Sequence, residues 1–247
     1  MSVHDEIGTD RPTIEHAPDP AAAAAEDEIR AHTSPGRARL ELLAVGLGGL
    51  AVSMAQTLLV PVLQALPGEL GASSADVEWL LTSTLLVAAV SVPVLGRLGD
   101  MYGKRRMLLI SLVALVVGSL ITCVTDNLGL LILGRGIQGI SIAAIPLGIS
   151  LLATLLPRDK VGSAIAVISA MLGVGGALAL PIGGLIGEHA DFHALFWLTA
   201  AIGALAVAAI AAIVPESPVR TGGRIDLVGT VLLSGALVAL QIGRAHV

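Results

Sequence analysis

The sequence is poor in what a water-facing surface requires. Only 13% of its 247 residues are charged, whereas soluble domains carry about 25%. Aromatic residues make up 2% and hydrophobic residues 55%. So few polar groups cannot cover a globule in water, which excludes an ordinary soluble domain and any nucleic-acid-binding surface. Cys123 is the one cysteine, so a disulfide within the chain is impossible and a cysteine-based metal site is not expected. It lies in an apolar run and reads as a small buried hydrophobe. Lysine is nearly absent, at two against twelve arginines, a usage that fits a GC-rich bacterial genome. No Asp or Glu stands in the middle of any apolar run. An intramembrane enzyme would need a convergent set of Asp, Glu, His or Cys there, so the pattern excludes one, and no cofactor is implied.

What is present is long and apolar. A helix that crosses a bilayer needs about 20 mostly apolar residues. Six such runs are expected at Leu42–Leu66, Trp79–Leu95, Met107–Val124, Leu130–Leu156, Val161–Ile186 and Ala194–Val214, the first to sixth spans. A seventh begins near Leu227 and is cut short. Strands at membrane depth would need a closed barrel, and these runs are too long and too uniform for one. The expected fold is all-α, a polytopic transmembrane helix bundle dissolved in the lipid bilayer. Abundant Ala and Gly suit it, since small residues let helices approach closely in lipid.

The flanks divide the chain further. Residues 1–39 hold a run of five alanines, four prolines and eight of the nineteen acids, with no apolar periodicity. They read as a disordered tail and not as a secretory signal peptide. Residues 40–214 form the bundle, 215–226 a loop and 227–241 the truncated seventh helix. Residues 242–247, Ile-Gly-Arg-Ala-His-Val, break the apolar pattern and resemble translated sequencing adapter, so the chain is expected to be an N-terminal fragment.

Basic residues set the expected orientation, because cytoplasmic loops collect Lys and Arg. Arg30, Arg37 and Arg39 precede the first span. Arg97, Lys104, Arg105 and Arg106 lie between the second and third, Arg158 and Lys160 between the fourth and fifth, and Arg220 and Arg224 after the sixth. The alternate loops carry only acids: Glu69, Asp76, Glu78, Asp126, Glu188 and Asp191. This places the N-terminus in the cytoplasm and the bundle in a bacterial cytoplasmic membrane.

Three stretches carry mechanism. Gly96-Arg-Leu-Gly-Asp-Met-Tyr-Gly-Lys-Arg-Arg is a glycine-rich, charged turn between two spans. Asp100 has two possible partners there: the bases Lys104, Arg105 and Arg106, or the positive N-terminal end of another helix. A plain positive loop with an incidental acid is the simpler alternative. Arg135 is the one unambiguous charge within a span, followed by Gln138 and Gly139. A charge at that depth is a functional-site hypothesis, set against an arginine that snorkels its head to water. The same glycines fit a dinucleotide fingerprint, with Asp159 downstream, but they lie inside a continuous apolar span and not in a βαβ unit, so that reading fails. In the fifth span Gly173, Gly176, Pro181 and Gly184 combine close packing with a kink, or mark a generic hinge helix. His189 and His193 share a loop at i, i+4 spacing. Solvated side chains are favoured over a metal pair, and no metal site is expected.

These motifs resemble the major facilitator superfamily. Gly96, Asp100, Gly103, Lys104 and Arg105 match its loop between the second and third helices, with Met101 where an Arg is common. Arg135, Gln138 and Gly139 match its helix-4 motif, and Gly176, Pro181 and Gly184 its antiporter helix, with Leu180 and Leu185 in place of two glycines. Trp79–Thr84 and Arg224–Gly229 resemble features of the fourteen-helix drug:proton antiporter branch, and Ala65-Leu66-Pro67 fits its first helix. The resemblance implies the N-terminal six-helix half of the fold plus the start of a seventh helix. It implies a gating loop at Gly96–Arg106, proton coupling through Arg135, Gln138 and Gly139, and a leak-limiting helix around Pro181. The implied partners are protons, a small-molecule substrate and the missing C-terminal half. The implied activity is proton-coupled efflux of drugs or other small hydrophobic or cationic compounds. A nutrient symporter of the same superfamily and a non-transporting scaffold or inactive fragment are the alternatives. The first span lacks the acid that many members carry, which leaves edge carboxylates such as Glu41 or Asp76 as candidate proton carriers.

Overall fold

The structure is a computed structural model that describes residues Ser34–Glu216. The truncated seventh helix, the loop after residue 216, the final six residues and most of the N-terminal tail lie outside the described residues. The described residues fold into helices joined by short turns, with no strand among them. In chain order they are α1 (Pro35–Thr57), α2 (Leu66–Leu70), α3 (Ser74–Tyr102), α4 (Lys104–Cys123), α5 (Leu128–Gly139), α6 (Ala144–Leu155), α7 (Arg158–His189) and α8 (His193–Ile213). A 3₁₀ segment, Ile140–Ala143, joins α5 to α6 into one rod.

Six helical stretches are long and apolar enough to cross a membrane: Gly36–Val62, Ser74–Tyr102, Lys104–Cys123, Leu128–Leu155, Arg158–His189 and His193–Ile213. They coincide with the six expected spans but run longer at most ends. α1 begins at Pro35, so the last five residues of the expected tail are helical. The reason is local. Ser34 caps the helix, its Oγ accepting from the Arg37 N–H, and Pro35 suits the first turn, where no donor is needed. Ser73 and Asn127 start α3 and α5 in the same way, accepting from Asp76 N–H and Leu130 N–H.

The bundle core lies where α1, α4 and α6 meet α7 and α8. Val52, Leu112, Leu115, Leu151, Ala206 and Ile210 are fully buried there. A second apolar cluster, including Leu58, Leu80, Leu131 and Phe196, fills the end remote from Pro35. α3 and α7 are the least covered spans and leave Leu85, Val90, Val174, Leu178 and Leu180 exposed.

One turn has no slack. Gly103 alone separates α3 from α4, with φ at 116°. That torsion is open to glycine and strained for other residues. A Cβ at Gly103 would also stand 2.8 Å from the Glu216 carboxyl group.

Candidate functional site

The deepest polar feature is built around Arg135 on α5. Its side chain is 1% exposed, so it does not snorkel, and the snorkelling alternative is overturned. Its Nε donates to the Leu80 carbonyl on α3 at 3.2 Å, and Nη1 donates to the Ala55 carbonyl on α1 at 3.1 Å. Nη1 also donates to Gln138 Oε1 at 2.7 Å, one turn along α5. Gln138 Nε2 passes the chain on to Ser119 Oγ on α4 at 2.8 Å, and Ser119 donates to the Leu115 carbonyl. Thr84 returns a hydrogen bond from α3 to the Arg135 carbonyl at 3.0 Å. Thus one cation ties α1, α3, α4 and α5 together. Nη2 is buried and has no hydrogen-bond partner among the described residues.

Gly139 makes this possible. A Cβ there would overlap the main chain at Thr84, so α3 and α5 touch backbone to backbone. The close approach brings the Leu80 carbonyl within reach of the guanidinium. Arginine suits the site because its planar fork supplies several donors at fixed angles to carbonyls on different helices.

The charged turn lies at the same end of the bundle as Pro35. Asp100 takes Lys104 as its partner at 4.0 Å, and its side chain is 43% exposed. Such a long, wet pair is worth little. The stronger contacts come from a residue that sequence reading missed. Glu216 Oε1 accepts from the Arg105 N–H at 3.0 Å, and Oε2 lies 3.9 Å from Arg106 Nε. Its carboxylate therefore sits on the positive end of α4. Arg105 Nη2 donates to the Ala211 carbonyl at 2.6 Å. Arg105, Arg106 and Gly103 thus meet the C-terminal end of α8, while Gly96 faces open space.

The fifth span corrects one expectation. Gly176 has only ordinary contacts and Gly184 has none within 4 Å of a Cβ position. The tight contacts fall one residue earlier. A Cβ at Gly175 would lie 2.8 Å from the Leu50 carbonyl, and one at Gly183 2.6 Å from the Leu58 carbonyl, both on the first span. Gly175, Ala179 and Gly183 recur every four residues, so they form one buried stripe on α7. Pro181 lies off that stripe, inside the continuous helix α7.

The edge carboxylates separate clearly. Asp76 is a surface residue of the α3 cap, accepting from Ser73 Oγ at 2.6 Å. Glu41 is 1% exposed. Its Oε1 accepts from Arg37 Nε at 3.2 Å, and its buried Oε2 has no hydrogen-bond partner among the described residues. At the opposite end of the bundle, His193 is not the solvated side chain expected. It is mostly buried, and its ring nitrogens lie against Asp191 and Thr125. His189 Nδ1 lies 3.1 Å from the Leu185 carbonyl. No group of three or more potential metal ligands occurs among the described residues.

Residues 45–241 match the sequence profile of the Major Facilitator Superfamily. The chain belongs to that family. Over 210 residues it is 32% identical to the tetracenomycin C resistance and export protein of Streptomyces glaucescens, covering 84% of this chain and 39% of that one. Over 201 residues it is 28% identical to multidrug resistance protein 3 of Bacillus subtilis, covering 81% and 39%. The chain therefore spans well under half the length of these relatives. Among solved structures, a D-xylose–proton symporter superposes with a TM-score of 0.62 at 18% identity, covering 83% of this chain and 52% of that one. A peptide transporter superposes at 0.67 with 15% identity, covering 88% and 49%. Those likenesses show the fold, the six-helix half of a major facilitator transporter.

Proposed function

We propose that this chain belongs to a proton-coupled exporter of drugs or other small hydrophobic or cationic compounds. It would lie in a bacterial cytoplasmic membrane with its N-terminus inside. The export names of its relatives and the Pro181 helix support this direction of transport over a nutrient symporter. The orientation rests on the basic loops, and those among the described residues fall at one end of the bundle. Alternating access then rocks this helix bundle against a second one around a midplane cavity.

The carrying observation is Arg135, a buried cation joined to carbonyls of two other spans and to Gln138. A change of protonation or substrate near α5 is felt at once by α1 and α3, because all three share one guanidinium. Glu41, half-paired and buried, fits a proton carrier better than the surface residue Asp76. The Gly96–Arg106 turn gates by gripping or releasing the end of α8.

The test is energised efflux by the full-length protein in a drug-sensitive host and in vesicles with an imposed pH gradient. Arg135→Ala should abolish pH-driven efflux, measured per amount of folded protein that remains in the membrane. Wild-type efflux from that variant would end the proposed role. Uptake driven by the same gradient would favour the symporter reading.

A further inference from the structure

The end of the bundle remote from Pro35 holds a histidine with acceptors on both ring nitrogens. His193 Nδ1 faces Asp191 Oδ1 at 2.5 Å. Its Nε2 faces the Thr125 carbonyl at 3.0 Å and Asp126 Oδ1 at 3.5 Å. A neutral imidazole has one N–H and one lone pair. A lone pair aimed at either a carboxylate or a carbonyl oxygen would be repelled, so only the imidazolium satisfies both sides. The ring is otherwise packed on Phe192, with centroids 4.0 Å apart. The charged groups that face it are Asp191 from its own loop and Asp126 from the loop between α4 and α5. The Asp191 carboxyl is itself held below the usual carboxylate range, first because it accepts the His193 backbone N–H.

The geometry matters because the partners belong to different parts of the chain. Thr125 and Asp126 join the third span to the fourth, the helix that carries Arg135. Asp191 and His193 join the fifth span to the sixth. We propose that His193 is a proton-binding clasp that, as imidazolium, ties these two loops together and lets go when it loses its proton. The proton leaves Nε2 for water, and Nδ1–H stays with Asp191. The Thr125 carbonyl and the Asp126 carboxylate then lose their donor, and the α4–α5 loop is freed. The charge pattern puts this end of the bundle outside the cell, so the clasp would read external pH. The inference stands on the contacts around one ring and holds whether or not the protein exports drugs.

The test uses the whole 247-residue chain in lipid nanodiscs with isotopically labelled histidine, the His193 signals being assigned by their loss in His193→Gln. Nuclear magnetic resonance should find both His193 nitrogens protonated at neutral pH. The midpoint should lie above those of His4, His16 and His32. Asp126→Asn and Asp191→Asn should each lower it. Spin labels at Leu130→Cys and Leu185→Cys, in a Cys123→Ser background, should give a narrow distance distribution below the midpoint and a broad one above it. A neutral His193 at neutral pH, a midpoint shared with the tail histidines, or a distance distribution that ignores pH would each overturn the clasp. If His193→Gln fails to fold, the His193 signals are identified as those that move in both Asp126→Asn and Asp191→Asn, and the absence of any histidine signal that moves in both would overturn the clasp.

Discussion

Arg135 and Gln138 stand one helical turn apart, and the guanidinium donates to the Gln138 side-chain oxygen at 2.7 Å while Gln138 donates onward to Ser119. Gln138 is thereby fixed in one orientation, its oxygen towards Arg135 and its nitrogen towards α4. Four of the six spans meet through these two side chains. In lipid no water competes for their donors and acceptors, so each lost bond exposes a group with nowhere else to go.

Arg135→Ala is therefore expected to destabilise the bundle, since it leaves the Leu80 and Ala55 carbonyls without this donor. Each such bond to a charged group is worth about 1.5–3 kcal/mol. Arg135→Lys should recover only part of the loss, because an ammonium cannot reach both carbonyls with a planar fork. Unfolding in mixed micelles, followed by circular dichroism, measures both. Equal stability of Lys and Arg at this position would contradict the geometry.

The glycines of the fifth span give a paired expectation. Gly175→Ala and Gly183→Ala push a methyl into the Leu50 and Leu58 carbonyls, and overpacking of that kind costs about 1–3 kcal/mol. Gly184→Ala, which meets nothing within 4 Å, should stay within about 0.5 kcal/mol of wild type. Thermal melts of the three variants in one detergent are sufficient. A reversed order would show that α7 packs on the first span through its other face.

Much of this was legible beforehand, and the reasons for the misses are physical. Apolar run length finds the spans because lipid enforces it, and a charge inside such a run singles out Arg135, while the run alone leaves burial and snorkelling both open. The glycine register is not legible in the sequence because Gly175 and Gly176 are adjacent, and only the rotation of α7 decides which meets α1. Glu216 escaped notice because it stands more than a hundred residues from Arg105 in sequence. His193 reads as a solvated loop histidine in the sequence, since nothing local shows that Thr125 comes to meet it.

Glu216→Gln should loosen the start of α4. The neutral amide keeps an acceptor for the Arg105 N–H but loses its attraction for Arg106 and for the helix end, an effect of about 0.3–1 kcal/mol at low salt. Amide hydrogen exchange at Arg105 and Arg106 should quicken modestly, and added salt should shrink the difference from wild type. Salt-independent exchange rates would remove the electrostatic account.

Acid should weaken the loop before α8. The Asp191 carboxyl titrates below its unfolded value, so its stabilising contribution is present above the ordinary carboxylate range. It is lost as pH falls through the depressed value, below about pH 4. Exchange of the His193 backbone amide should speed up across that window in wild type, and Asp191→Asn should be indifferent to it. A loss that begins near neutral pH would point to another group.

Gly103 leaves no play between α3 and α4. Two long rods joined at a single residue behave like the arms of a bell crank. The arm that touches Arg135 through Leu80 and the arm that Glu216 caps at its base can turn on one another, at that joint, only about the two torsions of one glycine.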